Sequence, residues 1–246
     1  MNHFSQQPQS IIQKQKAQPS AGLFSSIQQK HPISLLRHIK NEILDWVYPP
    51  RCSHCQRVDS YWCASCLDEL ETVPFGSVIR DLPPLHFVAA TSPHEGILRD
   101  AAHALKYEHA YQVAMPLASR WLPFLEKLPD QEAVIVPIPL HQKRLQSRGY
   151  NQAEVLASAL SIQSDLPLNT QLITRERYTE SQVGKTHDER VSNVKGAFQV
   201  SPTLKIPEHV ILIDDVMTTG STLCACAETC LMAGVKTVSA LTITSA

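Results

Sequence analysis

The sequence of 246 residues has no long apolar run. None of its segments approaches the roughly 18 consecutive apolar residues that a membrane-spanning helix needs, and the amino-terminal stretch lacks the apolar core of a signal peptide. We therefore expect no membrane span and a cytoplasmic location. In the cytoplasm the 7 cysteines would be reduced or bound to a metal ion.

An excess of charge of one sign is also absent. The 22 Lys and Arg residues nearly balance the 23 Asp and Glu residues, which leaves a formal net charge of -1. A near-neutral chain has no general attraction to nucleic acid or to an anionic membrane. Strong binding of DNA would therefore require positive charge that is concentrated locally.

Length and composition favour one α/β domain with a smaller appendage, because 43% of the residues are apolar and a sizeable core is possible. Residues 1–30 are rich in Gln and Ser, which predicts a disordered tail. Residues 31–80 are predicted to hold an amphipathic helix at 33–47 and a cysteine-rich module. Residues 85–246 are predicted to form the main domain.

The segment "ILIDDVMTTGST" combines two carboxylates with a run of hydroxyls. Asp214 and Asp215 follow the β-branched run 210–213, which predicts a strand buried on both faces. A predicted helix at 221–233 and a last strand at 237–246 come next. The loop residues between strand and helix are Thr218, Thr219, Gly220, Ser221 and Thr222.

A loop of this kind at a helix N-terminus favours an anion such as phosphate. It is not a Walker A loop, because no Gly-Lys-Ser/Thr triplet stands at the required spacing. The adjacent carboxylates would repel a phosphate but would accept hydrogen bonds from a diol. A ligand with a phosphate at one end and a sugar diol beside it would suit both the loop and the two carboxylates. We therefore favour a binding site for such a ligand over the alternative, a solvated Asp-Asp turn without a ligand.

Two Cys-x-x-Cys pairs stand 7 residues apart in the amino-terminal part of the chain. Such tandem pairs predict a tetrahedral zinc site with four cysteine ligands, and a thioredoxin-like redox pair is the alternative. His54 lies between two of the predicted ligands and is expected to be a bystander. The predicted ligands are Cys52, Cys55, Cys63 and Cys66.

The other three cysteines are predicted to be ordinary core residues. On a helix, Cys226 and Cys230 share one face, and Cys224 points away from both. The helix directly follows the hydroxyl-rich loop, where a helix is expected to pack on the sheet. Buried free cysteines behave as small apolar residues.

The middle of the chain predicts strands at 86–92 and 133–139, with a helical stretch at 96–128 that is broken near His109 or Pro116. Asn151 and Glu154 resemble a capping box that begins a further helix. Between strand and helix we predict a loop with a group of basic side chains. It would either contact a pyrophosphate or be solvated, and its basic residues are Lys143, Arg144 and Arg148.

A third segment, residues 175–198, mixes charges of both signs and contains few apolar anchors. Long excursions of this composition often act as lids over an active site. The candidate lid residues are Thr179, Gln182, Lys185, Arg190 and Asn193.

Together these motifs resemble those of a known family. The Asp-Asp and Thr-Thr-Gly-Ser-Thr run resembles the phosphoribosyl pyrophosphate (PRPP) motif of type I phosphoribosyltransferases. The runs "VPIP" at 136–139 and "RGYNQ" at 148–152 resemble the "VPxP…RG(F/Y)NQ" element of the ComF/GntX family. Residues 179–198 resemble that family's "TxxQ…RxxNVxxAF" segment, except that Lys185 stands where an apolar residue, commonly Leu, is usual.

The resemblance covers about 33–246 and implies an α/β fold, with a type I phosphoribosyltransferase-like (Rossmann-like) parallel sheet, helices on both faces and an N-terminal zinc finger. It implies that loop 218–222 holds the 5-phosphate of PRPP, while Asp214 and Asp215 act as catalytic residues on the diol, with Mg²⁺ nearby. Arg144 and Arg148 become candidates for the pyrophosphate.

The family is linked to DNA uptake during natural competence, so three functions compete. The first is Mg²⁺- and PRPP-dependent transfer to an unknown acceptor. The second is a non-catalytic accessory protein that serves the DNA-uptake machinery. The third is a zinc module that binds single-stranded DNA through Tyr61 and Trp62, although two adjacent aromatics in a small zinc fold more often form its core. An acceptor-binding hood could come only from the region before Leu85.

Overall fold

The computed structural model describes residues 49–58, 60–126, 133–176 and 196–246. The predicted tail at 1–30, the predicted helix at 33–47 and the candidate lid residues between 179 and 193 lie outside the described residues. The described residues from Pro49 to Ala246 form one compact unit. No helix in these stretches is long and apolar enough to cross a membrane.

Strands and helices alternate along most of this unit. The strands are β1 (Val78–Arg80), β2 (Phe87–Pro93), β3 (Val134–Pro137), β4 (Ile173–Arg175), β5 (Phe198–Val200), β6 (His209–Met217) and β7 (Thr237–Ser245). The helices are α1 (Ala64–Thr72), α2 (Gly96–Tyr107), α3 (Ala114–Ser119), α4 (Leu122–Leu125), α5 (Gln142–Arg148), α6 (Gln152–Ser164) and α7 (Ser221–Met232), with a 3₁₀ turn at Tyr111–Val113.

The main sheet is five-stranded with the order β1-β2-β7-β6-β3. Strands β2, β7, β6 and β3 are parallel, and β1 pairs antiparallel with β2 at one edge. Strands β4 and β5 form a separate antiparallel pair. The prediction of an α/β fold with a mostly parallel sheet is therefore confirmed, and the carboxyl ends of β3 and β6 meet at one edge of the sheet.

Helices cover both faces of the sheet, and the side chains of β6 show why. Ile211 and Ile213 point into a core shared with α2 and α6, whereas Val210 and Leu212 point into a second core shared with α7 and the β4–β5 pair. Successive side chains of a strand alternate between faces, so a strand covered on both sides must be apolar at every position. The continuous apolar run before Asp214 reflects this constraint.

We call residues 49–58 and 60–72 the cysteine segment. It packs on the side of the sheet that α2 and α6 cover, because Trp62, Cys66 and Leu70 belong to the same core as Leu98 and Leu105 of α2. The backbone of the cysteine segment also contributes to this contact, since the side-chain amide of Gln112 donates a hydrogen bond to the carbonyl oxygen of Trp62 at 3.2 Å.

The predicted helical stretch at 96–128 is interrupted near His109, the first of the two predicted positions, but not at Pro116, the second. Helix α2 ends at Tyr107, and His109 has a φ of 57°, which a right-handed helix cannot include. Pro116 instead lies inside α3. It occupies the third position of that helix, where the backbone N–H would have no intrahelical partner, so proline costs little there.

The prediction of a loop at Lys143, Arg144 and Arg148 is wrong, because these residues lie on helix α5. Its sequence consists largely of residues with good helix propensity, and the His141 ring nitrogen Nδ1 caps it by accepting from the Lys143 backbone N–H at 3.1 Å. Gly149, with a φ of 88°, ends the helix in the left-handed region. The basic side chains are therefore held by a helix.

The predicted end of the strand before Asp214 needs correction, whereas the predicted cap of the helix after Asn151 is present. Strand β6 continues past Ile213 to Met217, because β7 pairs with it as far as the Met217–Ser245 register, so the two carboxylates belong to the strand. Asn151 caps α6 as predicted, since its Oδ1 accepts from the Ala153 N–H at 3.1 Å. Its Nδ2 also donates to the Ile138 carbonyl at 3.0 Å, which ties the helix to the end of β3.

The cysteines of α7 provide a test of the core. Cys226 is fully buried and burial raises the pKa of its thiol well above the ordinary value, whereas Cys224 is partly exposed. We expect Cys226→Ser to lower the free energy of unfolding by about 1–3 kcal/mol, because a hydroxyl would be buried among apolar groups. The matched control Cys224→Ser should change it by less than about 0.5 kcal/mol. Urea unfolding measures both, and equal stability of the two variants would contradict the assignment.

Candidate functional site

The two adjacent carboxylates of β6 differ in burial and in their partners. Asp215 is only 3% exposed and lies on the side of α2 and α6, whereas Asp214 is partly exposed. The Lys106 ammonium Nζ lies 3.1 Å from Asp215 Oδ2, and Gln152 Nε2 lies 3.5 Å from Asp215 Oδ1. The two adjacent acids therefore differ in exposure and in their ion-pair and hydrogen-bond partners.

These surroundings shift the two pKa values in opposite directions. Burial raises the pKa of Asp214 well above its usual range, and the negative charge of Asp215 raises it further. Burial also opposes ionisation of Asp215, but the positive charge of Lys106 and the hydrogen bonds from Asp214, Lys106 and Gln152 together outweigh burial and lower the pKa of Asp215. The pair therefore offers one ionised carboxylate that accepts hydrogen bonds and one carboxyl group that holds a proton more readily.

The hydroxyl-rich loop follows β6 directly and leads into α7. Thr219 and Ser221 are linked through their hydroxyl oxygens at 2.7 Å. Arg80 of β1 donates to the Thr218 carbonyl at 2.9 Å and to the Ala246 carbonyl at 3.0 Å. The bond to Thr218 ties the loop to the edge strand β1. The N–H groups in the first turn of α7 have no intrahelical acceptor, so they are suited to bind an anion.

Gly220 is required by the conformation of the backbone, and its site is also narrow. It precedes α7 with a φ of 79°, in the left-handed region that side chains disfavour. An added Cβ would lie 2.6 Å from Cδ1 of Leu82. The glycine therefore lets the loop turn sharply into the helix while it lies against the chain that follows β1.

The basic residues of α5 lie close to the acidic pair. Arg148 donates from Nη1 to the Oε1 atom of Gln152, and its guanidinium carbon lies 5.4 Å from the centre of the Tyr107 ring. Arg144 lies near Arg175 of β4: burial lowers the pKa of Arg175, and the positive charge of Arg144 lowers it further. Asp214 partly opposes that shift, so its carboxyl group belongs to the same cluster.

The structure therefore brings together at one edge of the sheet the acidic pair, the loop at 218–222 and both candidate arginines. It also adds residues that the sequence analysis did not single out for the site, namely Lys106, Gln152, Arg175 and Arg80. Lys106 left a signal, because it continues the stripe of Leu98 and Ala102 on α2, where an apolar residue is expected. No sequence pattern indicated a role for Arg80, because its contacts join distant parts of the chain.

The four cysteines of the two Cys-x-x-Cys pairs form a compact cluster that could hold a metal ion. Their sulfur atoms all lie within 4.8 Å of one another, and the Sγ atoms of Cys55 and Cys63 are 3.5 Å apart. A tetrahedron with metal–sulfur bonds of about 2.3 Å has edges of about 3.8 Å, so the arrangement fits a site with four thiolate ligands. A hydrogen bond from the Cys66 backbone lowers the pKa of Cys63 to about 6, whereas burial and the neighbouring cysteines raise the pKa of the Cys66 thiol.

The neighbours of the cluster have structural contacts. Trp62 is 3% exposed and belongs to the core, so it is unable to stack on a base, whereas Tyr61 is 38% exposed. The His54 Nδ1 atom lies 3.0 Å from Asp100 Oδ2, and its Nε2 atom lies 3.6 Å from Glu69 Oε1. His54 therefore connects the cysteine segment to α2, as expected of a bystander to the metal site.

The fold and this site define a protein with a phosphoribosyltransferase-type domain. The phosphoribosyl transferase domain family matches residues 126–245 of the chain. DNA utilization protein YhgH of Escherichia coli (strain K12) is 30% identical over 202 residues, which cover 76% of this chain and 85% of that protein.

Two competence proteins are also similar. Competence protein F of Haemophilus influenzae is 30% identical over 188 residues, covering 70% of this chain and 80% of that protein. Competence protein ComFC of Bacillus subtilis is 35% identical over 104 residues, covering 41% of this chain and 39% of that protein. The chain belongs to the ComF family.

The cysteine cluster predicts a metal content that can be measured. We expect about one zinc ion per chain in freshly purified protein, and Cys63→Ser should reduce it strongly because a tetrahedral site loses a ligand. Cys224→Ser, which changes a cysteine outside the cluster, should keep the full content. Elemental analysis measures the zinc content of the wild type and of both variants. Zinc well below stoichiometry, with a reversible Cys52–Cys55 disulfide in its place, would favour the redox alternative.

Gly220 predicts a separation between stability and ligand affinity. We expect Gly220→Ala to weaken PRPP binding about tenfold, because left-handed strain of about 1–2 kcal/mol moves the loop away from its present conformation. Gly234→Ala is the matched control: it has a φ of 104° at the other end of α7 and an added Cβ would meet nothing within 4 Å. It should lower stability comparably without changing affinity. Titration calorimetry and thermal unfolding measure both, and equal losses of affinity would contradict a specific role of the loop.

Proposed function

We propose that the protein binds Mg²⁺–PRPP at the carboxyl edge of the sheet and transfers its phosphoribosyl group to an acceptor. One observation carries the proposal: two carboxylates on β6 are followed at once by a glycine turn at the N-terminus of α7, with arginines of α5 beside them. This is the arrangement that a ligand with a phosphate, a diol and a pyrophosphate would need.

The loop at 218–222 would bind the 5-phosphate. It offers hydroxyl groups of threonine and serine together with the backbone N–H groups of the first turn of the 12-residue helix α7. Arg80 already holds the Thr218 carbonyl, so the loop is supported before a ligand arrives. Preorganised donors of this kind need little rearrangement on binding.

The diol would lie against Asp214 and Asp215. Asp215 is kept ionised by Lys106 and accepts hydrogen bonds from hydroxyl groups. Asp214 is the more exposed of the two and would ionise when a cation approaches. Carboxylate oxygens suit Mg²⁺, which would neutralise charge on the pyrophosphate when bound. The residues present therefore fit the metal that such a ligand brings.

The pyrophosphate would lie near Arg144 and Arg148. In the transfer, the bond between C1′ and the pyrophosphate oxygen breaks, its electron pair leaves with pyrophosphate, and an acceptor atom bonds to C1′. Negative charge grows on the leaving group, and fixed cations stabilise it. Arg148 is positioned by its bond to Gln152, which also touches Asp215.

The candidate lid would close over this site. Its residues Thr179, Gln182, Lys185, Arg190 and Asn193 lie between strands β4 and β5, which pair so that Arg175 stands opposite Phe198. Arg175, at one end of the excursion, is close enough to Arg144 and Asp214 for their charges to affect its pKa. Closure of a segment anchored there would exclude water from the pyrophosphate.

We further propose that the cysteine segment holds structural zinc, that residues 85–246 act as the phosphoribosyltransferase domain, and that the protein works in the cytoplasm in DNA utilisation or uptake. The names of its relatives support the role in DNA utilisation or uptake. A non-catalytic PRPP-binding accessory protein of the DNA-uptake machinery is the alternative. Stacking of single-stranded DNA on Trp62 has no support, because that ring is buried.

Binding of PRPP is the primary test. We expect calorimetric titration with Mg²⁺–PRPP to give saturable binding, and the double variant Asp214→Asn, Asp215→Asn to weaken it at least tenfold with the fold intact. Asp165→Asn is the matched control, because Asp165 is an exposed residue with a φ of 60°, a conformation that asparagine tolerates. It should bind as the wild type does. Absence of binding at millimolar PRPP would overturn the proposal.

A further inference from the structure

His94 is a partly exposed, titratable side chain at the carboxyl edge of the sheet, directly after β2. Its backbone N–H donates to the Ser245 carbonyl of β7 at 2.8 Å, and its ring nitrogen Nδ1 lies 2.7 Å from the Thr244 hydroxyl oxygen. When Nδ1 donates to this hydroxyl, the lone pair of the ring is on Nε2. Among the residues that the structure describes, Nε2 has no hydrogen-bond partner. The ring is therefore held in place while one of its nitrogens remains free to react.

The strand register brings this ring close to the acidic pair. Thr244 is the register partner of Val216, the residue that follows Asp215 on β6. Neighbouring strands lie about 4.8 Å apart, so a ring held by Thr244 lies about one strand spacing from β6. The charges of Asp215 and Lys106 also reach His94, because both affect the pKa of its imidazole. His94 thus belongs to the same edge as the proposed PRPP contacts.

His94 and the two candidate pyrophosphate arginines lie on opposite flanks of β6. The sheet order places β3 on one side of β6, and β7 and β2 on the other. Strand β3 leads into α5, which carries Arg144 and Arg148. Helix α2 connects the flanks, because it begins just after His94 and ends at Tyr107, whose ring faces the Arg148 guanidinium. A helix of 12 residues is about 18 Å long, which leaves room for a sugar between the two flanks.

This separation determines from where an acceptor would approach. In an inverting displacement at the anomeric carbon of a sugar, the nucleophile arrives on the face opposite the leaving group. With pyrophosphate on the flank of β3, the acceptor would arrive from the flank of β7 and β2. His94 and the exposed Glu95 are titratable side chains on that flank. Of these two, only His94 has its side chain bonded to β7.

The surroundings of His94 favour a neutral imidazole. Burial lowers its pKa, and the positive charges of Arg99 and Lys106 lower it further. The negative charges of Asp215 and Asp100 oppose this shift without cancelling it. Near neutral pH the ring is therefore in the form that accepts a proton, as a general base must.

We propose that His94 is the general base of the transfer and takes a proton at Nε2 from the acceptor as the acceptor bonds to C1′. The inference rests on the proposed function. A lone pair of the acceptor forms the bond to C1′, and the N–H or O–H bond of the acceptor breaks and leaves its electron pair on the acceptor. Pyrophosphate departs with the electron pair of its bond to C1′. The imidazolium of His94 then returns its proton to solvent, and Thr244 acts as a positioning residue.

The test uses the full-length protein, with water and azide as acceptors of known chemistry and a protein-free extract of small metabolites as a third source. Pyrophosphate release from Mg²⁺–PRPP is measured as a function of pH. The variants are His94→Gln and His94→Ala. His86→Gln is the matched control, because His86 is an exposed histidine at the opposite end of the same strand. Glu95→Gln tests the neighbouring carboxylate.

We expect His94→Gln to lower the rate of pyrophosphate release with water about 100- to 10,000-fold, because a general base is lost. The wild-type rate should fall as the pH drops through the pKa of the imidazole, since a protonated ring accepts no proton. This acid limb should be absent from His94→Gln and unchanged in His86→Gln and Glu95→Gln. Azide has no proton to lose, so it should restore much of the rate of His94→Ala and add little to the wild type. The affinity for PRPP, measured by calorimetry, should be that of the wild type in all variants.

Three results would overturn the role of His94 and leave the proposed transfer in place. His94→Gln and His86→Gln release pyrophosphate at equal rates, azide fails to restore release in a folded His94→Ala that binds PRPP, or the acid limb disappears in Glu95→Gln instead. Failure of the proposed function has a different signature. A wild type that releases no pyrophosphate with water, azide or the metabolite extract overturns the transfer, and the general base with it.

Discussion

The ion pair between Lys106 and Asp215 joins the helix after β2 to β6, a strand in the interior of the sheet. Asp215 is almost fully buried, and a buried carboxylate is tolerated only when a cation or several donors accompany it. The pair therefore fixes the position of α2 relative to β6. Because α2 also carries the contacts to the cysteine segment, through His54 and Asp100, one buried interaction links the cysteine cluster to the acidic pair.

The same strand explains how two adjacent acids obtain different chemistry. Asp215 is buried against Lys106 and Gln152, whereas Asp214 is partly exposed and close enough to Arg175 to affect the pKa of that guanidinium. Oppositely shifted pKa values follow from these surroundings.

Much of the fold could be predicted because its signals are local. The continuous apolar run before Asp214 is typical of a doubly covered strand, Asn151 caps its helix, and the spacing of the cysteine pairs is that of a metal site. The predictions failed where tertiary pairing extends or replaces local structure. Strand β6 runs on to Met217 because β7 lies beside it, and the basic residues near Arg144 form a helix between two caps.

The sequence by itself determined the fold class, the cysteine cluster and the stretch from Asp214 to Thr222, since each depends on residues that are neighbours in the chain. Only the tertiary structure decided what surrounds them. Lys106 and Arg80 come from segments that lie far from β6 in sequence. Contacts of this kind leave little local pattern, because they form only when the packing of both sheet faces brings distant side chains together.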